Sequence, residues 1–179
     1  MMFNKSFFLA FALLIVSASL YRVWEGRPFG FTPQIAMAIF GGAIIKDKRW
    51  AFALPLFSMF LSDLLYQALF QWGYTSIPGF YGGQWINYAL FACLTVFGFA
   101  LRRFNFKNIV GFSIGGSFLF FLLSNFTVWL SGGGFHRPRT GEGLLMCYAD
   151  GLAFYRDYGL VKGFAGNFIL GDLFFCGLL

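Results

Sequence analysis

IVGFSIGGSFLFFLLSNFTVWL, residues 109–130, runs directly into SGGGFHRPR, residues 131–139. The first segment holds 22 residues without a charge, more than the ~20 that carry an α-helix across the hydrocarbon core of a bilayer. Its polar groups, Ser124, Asn125 and Trp129, gather toward the far end. The loop beyond carries the one histidine of the chain, His136, together with Arg137 and Arg139. The stretch predicts a membrane helix with its recognition chemistry concentrated at one end.

The whole chain fits that setting. Of its 179 residues 59% are hydrophobic, 23% aromatic and only 11% charged, which excludes an ordinary soluble domain and predicts a polytopic membrane protein. The net charge of +6 then reads as basic anchoring at the cytoplasmic face and not as a nucleic-acid footprint, because no basic run interleaved with stacking aromatics is present. Cys93, Cys147 and Cys176 are odd in number, widely spaced and set among apolar residues, so they read as buried packing groups without zinc spacing or a disulfide framework.

Working outward, the spans are predicted at about 7–22, 33–45, 50–72, 84–101, 109–130 and 163–179. Ser17-Ala18-Ser19 resembles a signal-peptidase site, but residues 7–22 read as the first membrane helix. Thr32 and Pro33 suit the cap and first turn of the second. The 13 residues 33–45 rise only ~20 Å, short of the ~30 Å core. Residues 29–32 must therefore enter the membrane as irregular backbone, which is tolerated where protein or a wet cavity covers it. A helix start buried at that depth offers free amide donors to an anionic group. Ala38 with Gly42, and Gly111 with Gly115, are small-xxx-small pairs that mark close helix packing within the chain.

The basic turns at 46–49 and 102–107 are two spans apart and share a side, cytoplasmic by the positive-inside rule. Residues 144–155 are too few to cross and read as a re-entrant or interfacial helix on the outer side. The result is an all-α integral membrane fold of six transmembrane helices with both termini in the cytoplasm. Seven basic residues fall inside (5, 46, 48, 49, 102, 103, 107) and six outside (22, 27, 137, 139, 156, 162). The outer six read either as anion contacts or as interfacial anchors.

Asp63, Asn87, Asn125 and Asp172 are the polar side chains expected inside spans, three of them in the outer half. Intramembrane charges face a protein interior or a hydrated cavity, so an outward-opening pocket is expected among the third to sixth helices. Arg27, Asn87, Asn125, Trp129, Arg137 and Arg139 are the candidates for the pocket and its mouth. Asn125 reads equally as interhelical glue. Asp63, beside Ser62 and Gln67, reads as a structural hydrogen-bond hub or as a group that couples or binds, and Asp172 as a packing residue. His136 has no partner at ligand spacing, so no metal and no cofactor is expected. HExxH, GxSxG and P-loop motifs are all missing from the sequence, so no enzyme is expected, and energy for any pumping must come from partners or an ion gradient.

Phe31-Thr32-Pro33, Phe40-Gly41-Gly42-Ala43, Ser62-Asp63-Leu64, Ser124-Asn125-Phe126 with Trp129, Arg137-Pro138-Arg139-Thr140, Cys147-Tyr148 and Gly171-Asp172-Leu173 together resemble a family of small, uncharacterised bacterial inner-membrane proteins. That family is in turn similar to the substrate-binding S components of energy-coupling-factor vitamin transporters. The resemblance implies an S-component-like six-helix fold, a vitamin-like small organic solute held in an outward cavity made by the first outer loop and helices four to six, and partnership with a membrane-embedded coupling subunit, docked on the first helices, and two ATPases. The first helix departs from the AxxxA-like docking pattern, with Leu14 four residues after Ala10 and Val16 four after Ala12. Rod-shape proteins of the membrane-embedded D type resemble the same six-helix arrangement and imply a scaffold without a ligand.

Overall fold

A computed structural model describes residues 5–28, 30–132, 135–157 and 167–179. Phe29, Gly133, Gly134, Lys162 and the expected start of the last span, 163–166, lie outside the described residues. Seven helices form among those described: α1 (Lys5–Val23), α2 (Gln34–Ile44), α3 (Lys48–Gln71), α4 (Gln84–Gly98), α5 (Phe106–Ser131), α6 (Gly141–Asp157) and α7 (Asn167–Leu178).

Local chemistry sets the boundaries. The Asp47 carboxylate accepts from the Arg49 amide at 3.0 Å and starts α3, and the Asn105 side chain accepts from the Asn108 amide at 2.9 Å and starts α5. Gly132, at φ +73°, takes the left-handed turn that ends α5. The expected cap of α2 is corrected: Pro33, not Thr32, occupies the cap position, and no side chain caps the helix. The first α2 bond runs from the Met37 amide to the Pro33 carbonyl at 2.8 Å.

Three helices, α1, α3 and α5, are long and apolar enough to cross a bilayer. At 19, 24 and 26 residues they extend roughly 28–39 Å. The 15 residues of α4 and 12 of α7 give only ~22 and ~18 Å, so six full crossings do not follow from helix length. The expected fourth span to residue 101 is cut short because the chain tightens after Gly98 into i→i−3 turns, with the Phe99, Ala100 and Leu101 amides donating to the Val96, Phe97 and Gly98 carbonyls. The expected 144–155 helix is longer at both ends; Thr140 Oγ1 accepts from the Gly143 amide at 3.1 Å and helps set its start.

At the centre lies α2, where every residue from Gln34 to Gly42 is buried and α3, α4, α5 and α7 all pack around it. Its brevity follows. A helix covered on all sides by other helices has no hydrocarbon to match, and its irregular approach is sheltered as the sequence predicts: Phe31 packs on Phe174 and Phe175 at 5.5 and 5.3 Å between ring centroids. Small residues make the contacts possible. A side chain at Gly42 would run into the Thr95 carbonyl and the Gly98 backbone, and one at Gly98 into the Ile39 backbone. On α5 the close approach is at Gly116, which faces Ile39, and at Gly115, which faces the Phe97 ring, whereas Gly111 looks onto open space. Of the expected Gly111–Gly115 pair only Gly115 makes a close helix contact, and the face of α5 turned to α2 is the one carrying Gly116.

Polarity is distributed inside out. Ser19, Ser58, Ser62, Asp63, Thr95, Ser117 and Asp172 are buried, while Phe8, Leu9, Leu13, Phe57, Phe106 and Phe118 are exposed. That pattern suits a bundle solvated by lipid tails.

Because Gly42 meets main chain that cannot rotate away, Gly42→Ala is expected to lower stability by about 1–3 kcal/mol. The control, Gly111→Ala, is expected to cost nothing. Thermal unfolding in detergent reads both, and equal midpoints for the two variants would contradict this packing.

Candidate functional site

A polar network closes one end of the bundle. Asp63 of α3 is only 2% exposed. Its Oδ1 accepts from Arg22 Nη1 of α1 at 2.5 Å, and its Oδ2 accepts from the Tyr88 hydroxyl of α4 at 2.5 Å and from Gln84 Nε2. Arg22 also donates to Ser62 Oγ. The Tyr66 hydroxyl donates to the Arg22 carbonyl at 2.8 Å, and its ring lies under the guanidinium at 5.7 Å.

The loop after α3 joins the same network. Gln84 Nε2 donates to the Gly79 carbonyl at 2.9 Å, and Gln67 Oε1 accepts from the Gly79 and Phe80 amides at 3.1 and 3.3 Å. Gly79 lies so close to α3 that a side chain there would strike the Asp63 carbonyl and the Gln67 amide. Helical spacing explains the set. Ser62 with Tyr66, Asp63 with Gln67, and Gln84 with Tyr88 are each four apart and share a face, so three short sequence pairs converge on one carboxylate.

A groove of about 870 Å³ borders this network, walled by Trp24, Glu25, Arg27, Tyr66, Tyr74 and Thr75. Successive turns place the Arg27 side: the Trp24 amide donates to the Tyr21 carbonyl at 3.3 Å and the Arg27 amide to the Trp24 carbonyl at 3.2 Å. Arg27 Nη1 reaches the Pro28 carbonyl at 3.5 Å. Its Nε is buried and has no partner among the described residues. Chemically the groove brings aromatic side chains together with a guanidinium, a combination that suits a carboxylate or carbonyl on a planar solute.

The other five predicted residues lie elsewhere. Asn87 donates to the Tyr81 hydroxyl at 2.7 Å near the start of α4. Asn125, Trp129 and Arg137 come together at the joint of α5 and α6. There Trp129 Nε1 donates to the Pro138 carbonyl at 2.9 Å, and Arg137 grips Asp150 through Nε and Nη2 at 2.8 and 2.9 Å. That guanidinium holds the Asp150 carboxyl below its ordinary range. Asn125 Nδ2 donates to the Phe121 carbonyl at 2.8 Å and its Oδ1 lies against Gly151, while Cys147 Sγ donates to the Asn125 carbonyl at 3.4 Å. Arg139 is exposed.

Sequence reasoning missed Arg22, Gln84 and Tyr88. The predicted topology puts Arg22 and Asp63 at the same end of the first and third spans, one positive and one negative, but does not set those spans side by side. It also missed Gln34, which is 2% exposed with both amide atoms unpartnered among the described residues.

Breaking one half of a buried ion pair costs about 3–5 kcal/mol, and the 23% exposure of the Arg22 side chain puts Asp63→Leu toward the lower end. The double variant Arg22→Met/Asp63→Leu is expected to recover most of that loss in thermal unfolding. Additive losses from the two singles would show that the groups are not coupled.

No curated protein and no solved structure matches the chain. A family model does, along residues 3–179. With three helices long and apolar enough to cross a bilayer, the chain is a multi-pass membrane protein that belongs to DUF6580, a family of unknown function.

Proposed function

We propose that this protein is the solute-binding subunit of an uptake system, taking a small organic molecule with a carboxylate or comparable acceptor group from the outer side of a bacterial inner membrane. In this reading α2, α4 and α7 complete six passes with the surrounding helices, both termini are cytoplasmic, and the chain binds its solute without transforming it. Energy then comes from a coupling subunit with ATPases, as the likeness to S components implies.

The observation that carries the reading is the aromatic groove with Arg27 in its wall, beside Trp24, Tyr66 and Tyr74. The Arg22–Asp63 network keeps the wall in place by fixing Tyr66 and the loop from which Tyr74 and Thr75 project.

One observation favours a second reading, a membrane scaffold without a ligand. At the α5–α6 joint, Trp129, Arg137 and Asn125 spend their polar groups on neighbouring protein atoms, so this end of the bundle is closed by side chains.

Native mass spectrometry of the protein purified from its own host separates the two. A stoichiometric small molecule is expected, and Arg27→Ala is expected to weaken its retention by tenfold or more, the equivalent of one charge-assisted hydrogen bond at about 1.5–3 kcal/mol. Bound protein subunits with no small molecule in either variant would favour the scaffold.

A further inference from the structure

Asp172 stands apart from everything described so far. It lies on α7, 3% exposed, and Ser117 Oγ on α5 is in hydrogen-bond contact with its Oδ2. The same Ser117 hydroxyl reaches the Ser113 carbonyl one turn back at 3.1 Å. A hydroxyl has one proton to donate, and here two oxygen acceptors compete for it. If Asp172 is ionised, Ser117 must turn to it, the Ser113 carbonyl loses its extra donor, and a buried carboxylate is left with a single hydroxyl. If Asp172 is a neutral acid, its own O–H donates to Ser117 Oγ and the Ser117 proton goes to the Ser113 carbonyl. Every proton in that chain has one acceptor.

The surroundings point the same way. α2, packed against α7, carries no ionisable residue from Gln34 to Ile44. On α5 the one charged residue is Lys107, ten positions before Ser117, or ~15 Å along the axis. On α6, Glu142 is in the first turn, Asp150 is taken by Arg137, and Arg156 and Asp157 stand in the last turn. Cys176, one turn along α7, lies beside Ser113 and is also buried. Tyr21 of α1 reaches α7 at Phe175 through its ring. No salt bridge to Asp172 forms among the side chains that are described, in contrast to Asp63 with Arg22, and an unpaired ionised carboxylate in such a place is costly enough that the group neutralises instead.

A route to the Ser117 end of the pair opens on the lipid side. Ser117 forms part of the wall of an apolar groove of about 270 Å³ among α5, α6 and α7, where Phe118, Leu152 and Ile169 are exposed.

We propose that Asp172 is a proton-binding site, a neutral carboxylic acid that joins α5 to α7 through Ser117 and is reachable by an apolar reagent from the membrane. Dicyclohexylcarbodiimide tests it on the full chain in detergent or liposomes. The acid adds across one N=C bond, oxygen to the central carbon and proton to nitrogen. The resulting O-acylisourea rearranges to a stable N-acylurea with nothing lost, so the peptide gains the full mass of the reagent. Labelling of Asp172 at neutral pH that declines as pH rises is expected, with none on Asp63 and none in Asp172→Asn. The infrared carbonyl band of a protonated carboxyl is expected in the wild type at neutral pH and not in Asp172→Asn, and that variant, a neutral isostere, is expected to keep the wild-type unfolding midpoint. Absence of the band from the wild type overturns the proton site, and a band without labelling overturns its access from the lipid.

Discussion

A carboxylate buried in a helix bundle needs donors, and meeting that need at Asp63 organises one whole end of this protein. Arg22 comes from α1 and Gln84 and Tyr88 from α4, so satisfying one side chain of α3 fixes α1, α3 and α4 relative to one another. The loop after α3 is drawn in by the same groups, because Gln84 bonds Gly79 as well as Asp63. The groove with Arg27 exists because these pieces are held at fixed distances. Interaction energy and site geometry therefore have a common source.

The second constraint is the position of α2. A helix surrounded by four others is freed from matching the bilayer, and its 11 residues suffice because the protein around it supplies the apolar contacts. Close backbone approach at Gly42, Gly98 and Gly116 does the work that large side chains do in a soluble core. The large side chains are left for the outside, where Phe8, Phe57 and Phe118 face the medium.

Much of this was legible in the sequence. Long apolar runs marked α1, α3 and α5, and the arithmetic of length against bilayer thickness showed that residues 33–45 needed an irregular, protein-covered approach, which Phe31 provides on α7. Asp63 was legible as a hub, but its partners were not. Arg22 reads as an ordinary loop arginine until α1 is laid beside α3, a tertiary fact that no local pattern encodes. Asn125, Trp129 and Arg137 look like pocket residues by chemistry and depth, yet Asp150 and Gly151 on α6 take up Arg137 and Asn125. The end of α4 was overrun because hydropathy continues to Leu101, while the helix stops where Gly98 meets Ile39.

The central claim is that the Arg27 groove beside the Arg22–Asp63 pair opens to the outer side of the membrane. Thr75 on its wall provides the handle. With Cys93, Cys147 and Cys176 replaced by serine, Thr75→Cys should react with a membrane-impermeant maleimide in right-side-out vesicles and resist it in inverted ones. Reaction confined to inverted vesicles would place the groove on the cytoplasmic face and contradict the account.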